Sequence, residues 1–147
     1  MDEKVWFRSH VERLLEQVWD ARELVVAPDG LYYGEAGTAV AWVSVETDSP
    51  MAVRLVAVVA VDVPSTAKVL RELNEINAGA RFGWLSWYEG GVHCEAVVPA
   101  DGLTAENLAG LWYAVVARAN QVGPVLAAVH GGRVPVDDQV SDDEEVA

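Results

Sequence analysis

The 147-residue chain places three side chains capable of chemistry side by side, His93, Cys94 and Glu95, in the run Val92-His93-Cys94-Glu95-Ala96. An imidazole beside a thiol can withdraw its proton and leave a nucleophilic thiolate, and an imidazole beside a carboxylate can serve as an oriented general base. Both readings depend on the backbone that carries the residues. The run alternates like a β-strand, where neighbouring side chains project to opposite faces. His93 and Cys94 therefore diverge, and Cys94 falls on the apolar side, where a thiol stays protonated. His93 and Glu95 share a face, but two residues apart they read as a solvated pair rather than an acid–base dyad. The carboxylates Glu12/Glu16 and Glu72/Glu75 lie at helical neighbour spacing with no third group converging on them, as on a solvated helix face.

Nothing else in the chain announces a reaction. It holds no G-x-S-x-G, H-E-x-x-H, P-loop or G-x-G-x-x-G pattern. With the single cysteine Cys94 it can form neither an internal disulfide nor a cysteine-built zinc site, and His10, His93 and His130 are its only histidines. The expectation is a non-enzymatic protein with no metal and no cofactor. There are 23 acidic residues against 10 basic ones, a net charge of -13. That balance opposes nucleic acid and anionic lipid, which bind through clustered Lys and Arg. The opening Met1-Asp2-Glu3-Lys4 lacks the basic and apolar regions of a secretory signal, so a cytoplasmic protein is expected. The most apolar stretch, 51–61, contains Arg54 and falls short of the roughly 20 residues a membrane helix needs.

The elements that must position these residues follow from periodicity. Phe7, Val11, Leu14, Leu15, Val18 and Leu24 recur at helical spacing, predicting a first amphipathic helix over 4–25. After Pro28-Asp29-Gly30 come strands at 31–35, 38–46 and 51–63, a three-stranded meander whose last member is apolar on both faces apart from Arg54. That arginine either lies on the outer sheet face or pairs with an acid, of this chain or of a partner. Ser65 is placed as N-cap of a second helix carrying Val69, Leu70, Leu73 and Ile76 and ending near Gly79. Runs 83–89 and 92–98, joined by Gly90-Gly91, predict a β-hairpin with a primed turn. Thr104 caps a third helix through Leu108, Trp112, Val115 and Ala119, with a kink or fresh start expected at Pro124 and a stop at Gly131-Gly132. Residues 134–147 are acidic, poor in core-formers and expected to be disordered, leaving a single domain over 1–133 that is acidic itself. The class is α+β: helix, three-stranded meander, helix, β-hairpin, helix, with helices packed on an antiparallel sheet.

With Gly90-Gly91 as the loop, Tyr88 pairs with His93, Trp87 with Cys94, Ser86 with Glu95 and Trp84 with Val97. One face then carries Leu85, Trp87, Val92, Cys94 and Ala96. The other carries Trp84, Ser86, Tyr88, His93, Glu95 and Val97, an aromatic surface with polar handles of the kind found at binding and dimer contacts. These six residues and Arg54 are the candidate partner or dimer contacts. Half-coverage of Trp84 and Tyr88 by the chain's own helices is the alternative. A small-molecule regulatory domain, with Trp42, Trp84 or Tyr88 lining a pocket, is the competing functional class.

Leu73-Asn74-Glu75-Ile76-Asn77, then Arg81-Phe82-Gly83 opening a strand, then Val129-His130-Gly131-Gly132 closing the third helix form an ordered pattern. It resembles the YbjN-like proteins, which share the fold of the type III secretion (Tir) chaperones, over essentially residues 1–133. The resemblance implies an acidic homodimer without catalysis or nucleotide that binds a client protein or peptide segment. It also implies dimer contacts through 65–79 and 83–89, and so near Trp84 and Tyr88. Physically, Asn74 and Asn77 are placed to bond carbonyls or the following loop, Gly79 to take a positive φ, and Phe82 to plug the core at the strand entry.

Overall fold

The stripe of Phe7, Val11, Leu14 and Leu15 is buried, and it defines helix α1 (Glu3–Val18), capped by Asp2, whose carboxylate accepts from the Lys4 N–H at 3.0 Å. In this computed structural model, which describes residues 2–22 and 24–136, α1 stops well short of residue 25. Asp20 takes a left-handed φ of 49°, and the Ala21 and Asp20 amides fold back on the Glu16 and Gln17 carbonyls. That is a Schellman ending with Asp in the place glycine usually holds. Trp19 is thereby turned onto Trp112, ring centroids 5.0 Å apart.

Five antiparallel strands follow: β1 (Tyr32–Gly34), β2 (Val40–Glu46), β3 (Ala52–Ala60), β4 (Trp84–Tyr88) and β5 (Gly91–Pro99), in the order β1-β2-β3-β5-β4. Helix α2 (Ala67–Ala78) stands between β3 and β4 in the chain, and α3 (Ala105–His130) follows β5. The cap of α2 is Thr66 rather than Ser65: its hydroxyl accepts from the Val69 N–H at 3.2 Å. Gly79 ends α2 at φ -95°, not in the left-handed region. Thr104 caps α3 as expected, and Gly131, at φ 74°, ends it. No break occurs at Pro124, and the helix runs through it.

The hairpin turn is Glu89-Gly90, one residue earlier than expected, with φ of 46° and 82°, the two positive values a type I′ turn requires. Gly91 instead begins β5, where an added Cβ would lie 3.0 Å from the Ala60 carbonyl oxygen. The observed pairs are Trp84 with Glu95, Leu85 with Cys94, Ser86 with His93, Trp87 with Val92 and Tyr88 with Gly91. Moving the turn by one shifts each partner by two, so every side chain keeps the face expected of it.

Inner-face residues Val43, Leu55, Ala57, Cys94, Ala96 and Leu85 join α1, α2 and α3 in one buried cluster. Of the tail expected to be disordered over 134–147, residues 137–147 lie outside the described residues, whereas 134–136 are placed, with Val134 packed against the core. Arg133 exchanges both main-chain hydrogen bonds with Val61, and the Val136 N–H donates to the Thr38 carbonyl at 2.9 Å.

Two glycines of α3 give a test of this packing. Gly→Ala inside a helix gains about 0.5–1 kcal/mol from propensity alone. At Gly110 an added Cβ meets nothing within 4 Å, whereas at Gly123 it would sit 2.6 Å from the Val59 carbonyl oxygen of β3. Overpacking costs about 1–3 kcal/mol, so the second site reverses the sign. Thermal melts should show Gly110→Ala raising Tm and Gly123→Ala lowering it. A rise in both would mean that α3 does not seat as closely on β3 as described.

Candidate functional site

The register sets out the other sheet face in rows. Tyr33, Trp42, Val56, Glu95 and Trp84 form one row across all five strands; Val40, Val58, His93 and Ser86 form the next; Ser44, Arg54 and Val97 a third. Tyr88 stands at the hairpin end, opposite Gly91. All seven candidate contacts, Arg54, Trp84, Ser86, Tyr88, His93, Glu95 and Val97, therefore share one face of the sheet. Trp84 is 44% exposed and Tyr88 61%, so the chain's own helices do not cover them. Val56 is buried yet lies outside the core cluster, covered by its neighbours on this face.

An open trough of about 570 Å³ on this face is lined by Val56 and Val58 together with Trp42 and Tyr88. Arg54 closes one end. Its Nε donates to Glu46 at 2.6 Å and its Nη1 to Glu95 at 2.8 Å. The hydrogen bond to Glu46, then that to Glu95, holds the guanidinium pKa above its ordinary value despite partial burial. The arginine is thus neutralised by acids of its own chain. Asp62, Glu89 and His93 also line the trough.

The geometry separates the chemistry-bearing residues. Glu95 spends an oxygen on Arg54. Burial lowers the His93 pKa, with Glu95 opposing, and the ring meets Tyr88 edge-on at 6.0 Å. Cys94 is fully buried on the opposite face, where desolvation pushes its thiol up to about 11. A thiol so held is not a nucleophile at neutral pH. Among the described residues no group of three or more His, Cys, Asp or Glu is placed to hold a metal ion, and no helix is long and apolar enough to cross a membrane.

Several sequence-based assignments change. Glu12 and Glu72 are not simply solvated: Glu12 accepts from the buried Tyr32 hydroxyl at 2.7 Å, and Glu72 meets His130 Nε2 at 2.7 Å, tying α2 to the end of α3. Phe82 does not plug the core. It is 53% exposed, with the Arg81 guanidinium 5.4 Å from its ring centre. The left-handed Gly83 fills the strand entry instead, its missing Cβ leaving only 3.2 Å to Cys94 Sγ. Asn77 acts as expected: its side chain takes both the N–H and the carbonyl of Leu85, at 2.7 and 2.9 Å, occupying the outer edge of β4. Asn74 is exposed. Val56 and Val58 are absent from the candidate contacts because only cross-strand pairing places Val56 between Trp42 and Glu95 and Val58 between Val40 and His93. Alternation within 51–63 was the one available signal, and its valines on both faces masked it.

No curated protein matches the chain. Among solved structures it is similar to a chain of the ExsC-ExsE complex, with a TM-score of 0.67 and 20% identity over 86% of this chain and 97% of that one. It is also similar to a chain of the HopA1-SchA chaperone-effector complex, with TM-score 0.65, 13% identity and coverage of 82% and 96%. Similarity extends to YbjN from E. coli, with TM-score 0.56, 16% identity and coverage of 85% and 96%. At these identities the likeness is one of fold. The family model described as T3SS (YopN, CesT) and YbjN peptide-binding chaperone 1 matches residues 6–138, and the chain belongs to that family.

Proposed function

We propose that this chain is a non-enzymatic, cytoplasmic peptide-binding chaperone or adaptor that works as a homodimer and receives an extended client segment on its open sheet face. One observation carries the reading: the face bears a trough lined by valines and aromatic rings, and among the described residues no helix packs over it. Apolar surface of this kind on a folded domain marks a place where another chain docks. Membership of a peptide-binding chaperone family supports it. A small-molecule site would be an enclosed cavity with convergent polar groups. The trough is open along its length, and its strongest polar group, Arg54, is already paired within the chain, which favours a peptide over a compact ligand. Dimer contacts are assigned to α2 and β4, where Leu70, Trp84 and Tyr88 are exposed. Residues 1–133 form the binding domain, and the acidic segment after it serves to keep it soluble.

Selection from a random library of short peptides displayed on phage tests the reading. Apolar-rich sequences should be enriched. Their affinity should fall at least about tenfold in a Trp42→Ala/Val58→Thr variant, as expected for loss of a tryptophan anchor. The variant's circular dichroism should remain that of the wild type. No enrichment, or undiminished binding to the variant, would overturn the proposal.

A further inference from the structure

Six of the chain's 23 acids and none of its bases lie in residues 137–147. The residue before them is fixed: the Val136 N–H donates to the Thr38 carbonyl, and Thr38 is held by Asn120 from the middle of α3. The acidic segment therefore sets out from one flank of α3. Arg118, two residues from Asn120 on the same helix, points about 160° away from it, to the other flank. There, where α2 runs on toward β4, an open hollow of about 340 Å³ is lined by Arg118, Arg81, Phe82, Gly79, Ala117 and Gln121, and no acid lines it. Among the described residues neither arginine pairs with a carboxylate, whereas Arg54 and Arg133 both do. The face of α3 between the two flanks is exposed and uncharged at Ala117, Gln121 and Pro124, and the helix carries no acid after Glu106.

We infer that the chain's own segment 137–147 straps across α3 and sets carboxylates of 142–145 on Arg81 and Arg118. The reach suffices. A helix with its side chains is about 10–12 Å across, so the way round its outer half is about 16–19 Å. Residues 142–145 stand six to nine positions beyond Val136, about 20–30 Å of extended chain. Asp142, Asp143, Glu144 and Glu145 are consecutive, and a guanidinium takes a carboxylate through two parallel hydrogen bonds. Exposed ion pairs are weak singly. The tether at Thr38 supplies what they lack, a local concentration on the order of millimolar, which the segment of another copy does not have. A chain of net charge -13 repels the segment elsewhere, so an acid-free hollow with two unpaired arginines is where its charge is accepted.

A nitroxide attached through a Val146→Cys substitution reports where the segment lies. Cys94 does not take the label, being fully buried with its thiol pushed up to about 11. In the isotope-labelled chain, amide signals of residues 79–82, across α3 from Thr38, should be lost to paramagnetic relaxation. They should return in an Arg81→Gln/Arg118→Gln variant. They should return equally when the segment is neutralised by Asp142→Asn, Asp143→Asn, Glu144→Gln and Glu145→Gln, which leaves the folded body untouched. Salt at 1 M, where the screening length is about 3 Å, should restore them as well. Full signals at 79–82 in the unsubstituted background overturn the inference and leave the hollow to a carboxylate of a client. Loss that survives in either variant overturns it too, because the contact is then not ionic. Mixing isotope-labelled chain without nitroxide and unlabelled chain with it should leave 79–82 intact. Loss in that mixture would place the segment of a second copy in the hollow instead.

Discussion

A Trp84→Ala/Tyr88→Ala double variant is expected to run as a monomer, in size-exclusion chromatography with light scattering, at concentrations where the wild-type chain runs as a dimer. Both side chains project from an edge strand, 44% and 61% exposed, so their removal takes nothing from the core and far-ultraviolet circular dichroism should not change. Large aromatic residues at the centre of an interface each cost about 2 kcal/mol or more when truncated, and 1.4 kcal/mol is a factor of ten. Even with strong non-additivity the dimer constant should weaken at least about a hundredfold. The contact is assigned to side chains rather than to strand pairing because Asn77 already occupies the outward N–H and carbonyl of Leu85, which a second strand would need. A variant that stays dimeric would remove Trp84 and Tyr88 from the interface, and a wild-type monomer would remove the dimer. A variant that unfolds would show these residues to be structural.

The elements of this fold are legible in the sequence where local chemistry decides them and illegible where distant contacts do. Thr104 caps α3 and Gly131 ends it because each acts within one turn of its own position. The open face of β4 and β5 was readable despite a misplaced turn, since face depends only on parity and the turn moved by one residue. What fixed the turn at Glu89-Gly90 is Gly91 lying against the Ala60 carbonyl, a contact across the sheet that no local pattern encodes. The end of α1 was missed for a similar reason. Asp20 adopts a conformation usually given to glycine, and Trp19 is held by Trp112 from the far end of the chain. Among the site residues, Arg54 was recognised as needing an acid, but its two partners come from β2 and β5 and emerge only once the three strands are in register. The misassigned Phe82 shows the limit of hydrophobicity as a guide. Phe82 was placed inside by its type, while a glycine beside it does the packing.

Asn120→Ala should lower stability by about 2–4 kcal/mol, because the side chain spends its whole hydrogen-bonding capacity inside the protein. From the middle of α3 its Oδ1 accepts from the Thr38 amide at 2.8 Å and the Thr38 hydroxyl at 3.0 Å, while its Nδ2 donates to the Ala36 and Val116 carbonyls, both at 2.9 Å. Ala36 and Thr38 belong to the connection between β1 and β2, and Gly37 between them has a φ of 64° and leaves no room for a Cβ beside Asn120. The asparagine thus acts as the missing pairing partner of an irregular loop and fixes it to α3. Truncation to alanine strands the Thr38 amide, at about 1–3 kcal/mol, and removes one of the two donors on the Ala36 carbonyl, which keeps the Ala39 N–H at 3.1 Å, at about 0.5–1.5 kcal/mol more. For a chain of this size that corresponds to a fall in Tm of roughly 6–12 °C. The effect should concentrate at the sheet's edge, with faster amide hydrogen exchange over β1 and the start of β2. Asn120→Asp separates the contributions. It keeps the acceptor that Thr38 uses but turns a carboxylate toward the Ala36 and Val116 carbonyls, so at neutral pH it should be no more stable than the alanine variant. Should Asn120→Ala melt within about 3 °C of the wild type, the loop is held by its own turn, and the long-range bonds to α3 contribute little.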